Sequence, residues 1–138
     1  MTPEEYKQQC DHRLKTDWPQ LYENIWKECG AGWYNILDNV GYSIKSILTR
    51  NDLPFDDNIP FKFIQIKEKF GTLRLYYRHD IEDENIVNQI DAVLTFAEDM
   101  SSSICEVCGD RGTRTGGGWI ATLCNKHKQD RHTNIEEL

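Results

Sequence analysis

FKFIQIKEKFGTLRLYYR, residues 61–78, decides the fold of this chain. Phe61 to Lys67 and Thr72 to Arg78 are rich in aromatic and β-branched side chains, which suit a pleated, half-buried surface. Between them Glu68-Lys69-Phe70-Gly71 supplies a turn with a glycine available for positive φ, so the stretch predicts a β-hairpin. Period-two alternation places Leu73, Leu75 and Tyr77 on one face of the second strand and Thr72, Arg74, Tyr76 and Arg78 on the other. The hairpin also concentrates positive charge, with Lys62, Lys67, Lys69, Arg74 and Arg78 set against Glu68 alone. Lys67, Lys69, Arg74, Tyr76 and Arg78 are therefore candidates to hold a phosphate-bearing ligand by charge-assisted hydrogen bonds and stacking. Because surface charge runs seldom mark sites, the expected reading is instead a solvated strand face whose cations pair with the acidic segment 80–84.

Helical periodicity flanks the hairpin on both sides. Upstream, Trp33, Ile36, Leu37, Val40, Ile44, Ile47 and Leu48 recur in steps of three and four, predicting a central amphipathic helix despite Gly41, with Trp33 on its apolar stripe. Leu21, Tyr22, Ile25 and Trp26 predict a shorter helix between the Trp18-Pro19 break and a stop at Gly30. Thr2 as cap, Pro3 in the first turn and Glu5 as capping-box partner predict a first helix to about Lys15. Residues 51–60, with two prolines and three aspartates, read as a solvent-facing loop. Downstream, Ile86, Val87, Ile90, Val93, Leu94, Ala97 and Met100 outline another helix, whose acidic start at Glu82, Asp83 and Glu84 suits its dipole. The class is α+β, with about four main helices around the hairpin in a body over residues 1–104.

Residues 105–138 read as a separate module docked on that body. CEVCG at 105–109 and CNKH at 124–127 form Cys-x2-Cys-x15-Cys-x2-His, the spacing of a tetrahedral zinc site with Cys105, Cys108, Cys124 and His127 as ligands. Gly109 fits a sharp turn after Cys108, the glycine-rich stretch between the pairs suits a second hairpin, and Asn125 to Arg131 looks helical. That order is treble-clef-like. Four protein ligands close the coordination sphere, which makes one structural Zn2+ the expected cofactor. Trp119 and Arg114 are candidates for an interaction surface; Trp119 either packs the module on the body or, if exposed, marks a contact.

Enzymatic readings find less support. A zinc deaminase needs a His-x-Glu segment and a Pro before the first cysteine pair, whereas Ile104 precedes Cys105 and no His-x-Glu occurs. A treble-clef nuclease would draw on His127, His132 and Asn134, but His127 is better spent as a ligand. Cysteine catalysis would pair Cys10 or Cys29 with His12 or His79, against the commoner case of inert buried thiols. The expectation is a protein that is not an enzyme.

Composition bounds the rest. The chain has 138 residues, 38% hydrophobic and 28% charged, enough for one modest core that a metal would reinforce. Five cysteines, an odd number, argue against a disulfide framework, and neither a signal-peptide pattern nor a membrane-length apolar run is present, so a cytoplasmic location is expected. The formal net charge of −7 disfavours a generic duplex-binding protein, and the tail from residue 105 is neutral, so the acidity lies in the body. A nucleic-acid-binding regulator would use Arg111, Arg114, Lys126, Lys128 and Arg131 of that tail.

IQIKEKFGTLRLYY (64–77), CEVCG (105–109), GGWIATLCNKH (117–127) and the upstream ECGAGWYNILD (28–38) together resemble a widespread group of uncharacterised phage and prophage proteins. The resemblance spans roughly Glu28 to His127. It implies a phage or mobile-element origin, and with it an accessory protein in the host cytoplasm with a counter-defence or host-takeover role. Such a protein would occlude a host protein through its acidic surface or sequester a nucleotide signal on the basic hairpin, as a monomer or a homodimer.

Overall fold

A computed structural model of the chain shows a β-hairpin packed by one face against helices, its other face open; it describes residues 1–136, and the side chains of residues 1–130. Helix α1 (Pro3–Asp17) and the short α2 (Pro19–Tyr22) precede β1 (Lys27–Glu28). A 3-10 turn (Ala31–Trp33) leads into α3 (Tyr34–Arg50), and β2 (Phe61–Lys69), β3 (Thr72–His79) and α4 (Glu84–Ser101) follow. A second small sheet, β4 (Thr113–Arg114) and β5 (Thr122–Leu123), leads into α5 (Asn125–Glu136). The fold is α+β, as the patterning requires.

β2 and β3 pair antiparallel with Lys69 opposite Thr72, so the loop is only Phe70-Gly71, both at positive φ (53° and 82°). This primed-turn geometry matches the natural twist of the strands. The turn is shorter than the four residues expected because Glu68 and Lys69 continue the ladder, and the Glu68 carboxylate accepts the Gly71 N–H at 2.7 Å. One face of the sheet carries Phe61, Phe63, Ile66, Leu73 and Leu75 into a core shared with α3 and α4, with α4 packed along β3, and Tyr77 stacks on Phe61. Along the β3 edge, the Leu73 and Leu75 N–H groups donate to Ser101 Oγ and Glu98 Oε2 of α4, both at 2.8 Å. Two edge donors are thus satisfied by a helix, which closes them to another chain.

The second expected helix is corrected: α2 ends at Tyr22, and Lys27–Glu28 pair in parallel with Ile66–Lys67 as a third strand, in the order β1-β2-β3. The reason lies in which residues this segment buries. Trp26 points outward, whereas Lys27 is fully buried, its ammonium held by Asp11 at 2.8 Å and by the Tyr22 carbonyl at 2.9 Å. A helical register built on Ile25 and Trp26 would expose that ion pair. Gly41 is explained by contact, since a Cβ there would meet the Trp18 ring at 2.6 Å, while Trp18 Nε1 donates to Asp38. Trp33 is core, as expected. No helix among the described residues is long and apolar enough to cross a membrane.

Candidate metal centre and basic sheet face

The first cysteine pair lies on a tight knuckle. Gly109, at φ 84°, donates its N–H to the Cys105 carbonyl at 2.9 Å, and the Asp110 N–H points at the Cys108 sulfur from 3.5 Å. Cys124 immediately precedes α5 and His127 lies one turn further on, with the Lys128 N–H closing on the Cys124 carbonyl at 3.0 Å. The two pairs converge. Cys108 and Cys124 sulfurs are 3.8 Å apart, and His127 Nδ1 lies 3.5 Å from Cys105 Sγ and 3.1 Å from Cys124 Sγ. All four ligand atoms fall within 4.8 Å of one another, close enough to hold one metal ion. Without metal, burial and the neighbouring thiols push the Cys108 thiol up to about 12, whereas N–H donation from His127 brings Cys124 down to about 7. Metal binding here must therefore displace protons, and loading weakens as pH falls.

The centre is tied to the body by backbone contacts. The Gly30 N–H donates to Glu106 Oε2 at 2.9 Å, the Gly32 N–H to the Glu106 carbonyl at 2.7 Å, and Trp33 Nε1 to the Ile104 carbonyl at 2.9 Å. Burial raises the Glu106 carboxyl, and the Gly30 N–H offsets part of that. A Cβ on Gly32 would lie 2.0 Å from the Cys105 carbonyl oxygen, so only glycine permits this approach. Gly30, expected only to stop a helix, belongs to the same seam; two glycines one residue apart before a tryptophan were the available signal. On the other flank Thr122 Oγ1 donates to the Gly71 carbonyl at 2.6 Å and Arg114 Nε to the Phe70 carbonyl at 2.7 Å. Arg114 thus fastens the module to the hairpin turn. Trp119 takes the second of the two arrangements expected for it: it is 71% exposed, while Ile120 and Ala121 lie against Gly71. Lys128 is engaged with Thr113 Oγ1, and the side chains of Arg131, His132 and Asn134 lie outside the described residues.

The outer face of the sheet gathers the hairpin cations. Lys67 stands directly opposite Arg74, Lys62 opposite Arg78 and Gln65 opposite Tyr76, with Lys69 beside the turn. Lys62 was missing from the candidates read from sequence, because a bulge between Phe63 and Gln65 resets its alternation. Among the described residues the ion pairs are Asp11 with Lys15 and with Lys27. None of the five hairpin cations pairs with the 80–84 segment, and Glu28, the carboxylate β1 contributes to this face, is occupied by Gln65 Nε2 at 3.1 Å. Arg74 Nε is buried and has no hydrogen-bond partner among the described residues. Beside these cations Ile25, Trp26, Ile64 and Tyr76, with the polar Gln65 and the carboxylate Glu28, line a shallow groove of about 420 Å³.

Neither Cys10 nor Cys29 hydrogen-bonds a histidine among the described residues. Burial pushes the Cys29 thiol up to about 12, and His79 Nδ1 accepts the Ile81 N–H. Comparison with known proteins found no matching family model, no similar curated protein and no similar solved structure.

Proposed function

We propose that this chain is a zinc-stapled, non-catalytic binding protein that sequesters a phosphate-bearing, nucleotide-type ligand on the outer face of its sheet. One observation carries the reading: five cations share that face without a carboxylate partner among the described residues, and two like-charged pairs stand directly opposite each other. Such pairs cost stability, so a face that keeps them points to an anion that offsets them. Zinc follows from the donor set. Bond lengths of about 2.3 Å to sulfur and 2.0 Å to nitrogen give tetrahedral edges of about 3.8 Å and 3.5 Å; the Cys108–Cys124 and Cys105–His127 separations of 3.8 Å and 3.5 Å match them, while Cys124–His127 is shorter at 3.1 Å. Arranged as knuckle, hairpin and helix, the site is treble-clef-like and structural. The resemblance to phage proteins supports a counter-defence role in the host cytoplasm. The regulator reading is weaker, because Arg114 and Lys128 are engaged within the protein.

Calorimetric titration of the zinc-loaded protein with ATP and with inorganic tripolyphosphate tests the reading. Saturable binding that weakens with salt and is lost in Arg74→Ala, with zinc content and melting temperature retained, is the expected result. Absence of binding by either probe at millimolar concentration would sink it.

A further inference from the structure

We infer that the ligand of the basic face is single-stranded nucleic acid, its phosphates held by two rows of cations and a base stacked between them. This rests on the reading of the face as a phosphate site. Arg74, Tyr76 and Arg78 alternate on one side of β3, and their β2 partners are Lys67, Gln65 and Lys62. The face therefore reads cation pair, aromatic row, cation pair, with Lys69 extending it at the turn. At 3.3 Å per residue the two cation rows lie about 13 Å apart along the strand, with Tyr76 midway. A mononucleotide carries its phosphates on one side of its base and reaches one row. A strand carries phosphate on both sides of every base and serves both.

The middle row is built for a ring. Tyr76, 41% exposed, stands beside Ile64, which the bulge leaves unpaired and exposed, and beside Trp26, 64% exposed at the entry to β1. Together with Ile25 and the hydrogen-bonded Gln65–Glu28 pair, whose carboxylate is the groove's one acidic group among the described residues, they line the shallow groove, which lies open rather than enclosing a small molecule. Lys7 Nζ sits over the Trp26 ring, 4.9 Å from its centroid, and adds a cation beside the groove. Aromatic rings interleaved with cations on an open sheet bind single strands with little sequence preference, because every base offers a π face and every linkage a charge. A duplex keeps its bases stacked within itself and presents none to the groove. The acidic remainder of the body repels the strand elsewhere and confines it to this face.

The test uses the full zinc-loaded chain and follows tryptophan fluorescence and anisotropy with labelled dT12, rU12, an abasic deoxyribose-phosphate 12-mer, a dT12·dA12 duplex and tripolyphosphate. The proposal expects dT12 or rU12 to bind at least about tenfold more tightly than the abasic strand. Trp26→Ala and Tyr76→Ala should each remove most of that advantage, and Tyr76→Leu, which keeps apolar bulk, should lose it too. A preference between dT12 and rU12 supports the proposal and identifies the sugar. If the abasic strand or the duplex binds as well as dT12, stacking is overturned while the phosphate site stands. If nothing binds, tripolyphosphate included, both readings fall together.

Discussion

The body and the metal module solve the same problem by different means. In the body, α3, α4 and the inner face of the sheet bury a continuous cluster that includes Trp33, Leu37, Ile44, Ile66, Leu73 and Ile90. In the module, Leu123, Cys105 and Thr122 are buried, the two strands are two residues long, and a Cβ added on any glycine of 116–118 would meet nothing among the described residues. Apolar burial orders one region; the proposed zinc centre and a seam of hydrogen bonds to the backbone order the other. The difference teaches where each is vulnerable, and the sharpest way to break it is to remove the metal. Structural zinc sites contribute about 10 to 16 kcal/mol of apparent binding energy in finger peptides. Excess chelator, or Cys105→Ser, should unfold residues 105 onward while most helical circular dichroism persists. Complete loss of helicity would mean that the body depends on the metal as well.

The body has its own weak point, the buried Lys27–Asp11 pair. Asp11→Ala leaves the ammonium without its counter-charge and should cost about 3 to 5 kcal/mol, read by urea denaturation. The pH dependence follows from the same pair. Burial alone would raise the Asp11 carboxyl, but hydrogen bonds and charge from Lys27 and Lys15 outweigh it and hold the group below its ordinary 3.8. A depressed carboxyl contributes stability that is complete at neutral pH and lost as pH falls through its folded value. Acid should thus destabilise the body below about pH 4, and this component should vanish in Asp11→Ala; an unchanged acid limb would place the sensitive group elsewhere.

The seam between the two regions is the next test. Gly32→Ala puts a methyl against the Cys105 carbonyl, and overpacking of this kind costs about 1 to 3 kcal/mol. Limited proteolysis should then cut first within 105–124, with the body core protected. Equal protection of both regions would show that the seam does not couple them.

Periodicity made the body legible: the stripe from Trp33 to Leu48 and the strand alternation follow directly from side chains that must share one core. The ligand quartet was legible because metal spacing is local. What stayed hidden depended on contacts distant in sequence. Lys27 looks like a surface residue until Asp11, sixteen positions earlier, neutralises it. Gly32 looks like a loop residue until Cys105 lies against it. Lys62 joined the basic face only through a bulge that alternation alone does not announce.

The smallest expected effect bears on the outer face, where neither core nor metal dictates the residues. Lys62 and Arg78 face each other, both exposed and without an ion-pair partner among the described residues. Like charges directly opposite cost about 0.2 to 1 kcal/mol, and threonine suits an exposed strand position better than lysine. Lys62→Thr should therefore raise the melting temperature by a few degrees while weakening phosphate binding. A residue retained for the fold would give the opposite sign, because removing it would lose packing or a partner. Stabilisation with loss of binding is the signature of a position kept for its ligand. Destabilisation would return Lys62, and the row it completes, to the structural machinery of the sheet.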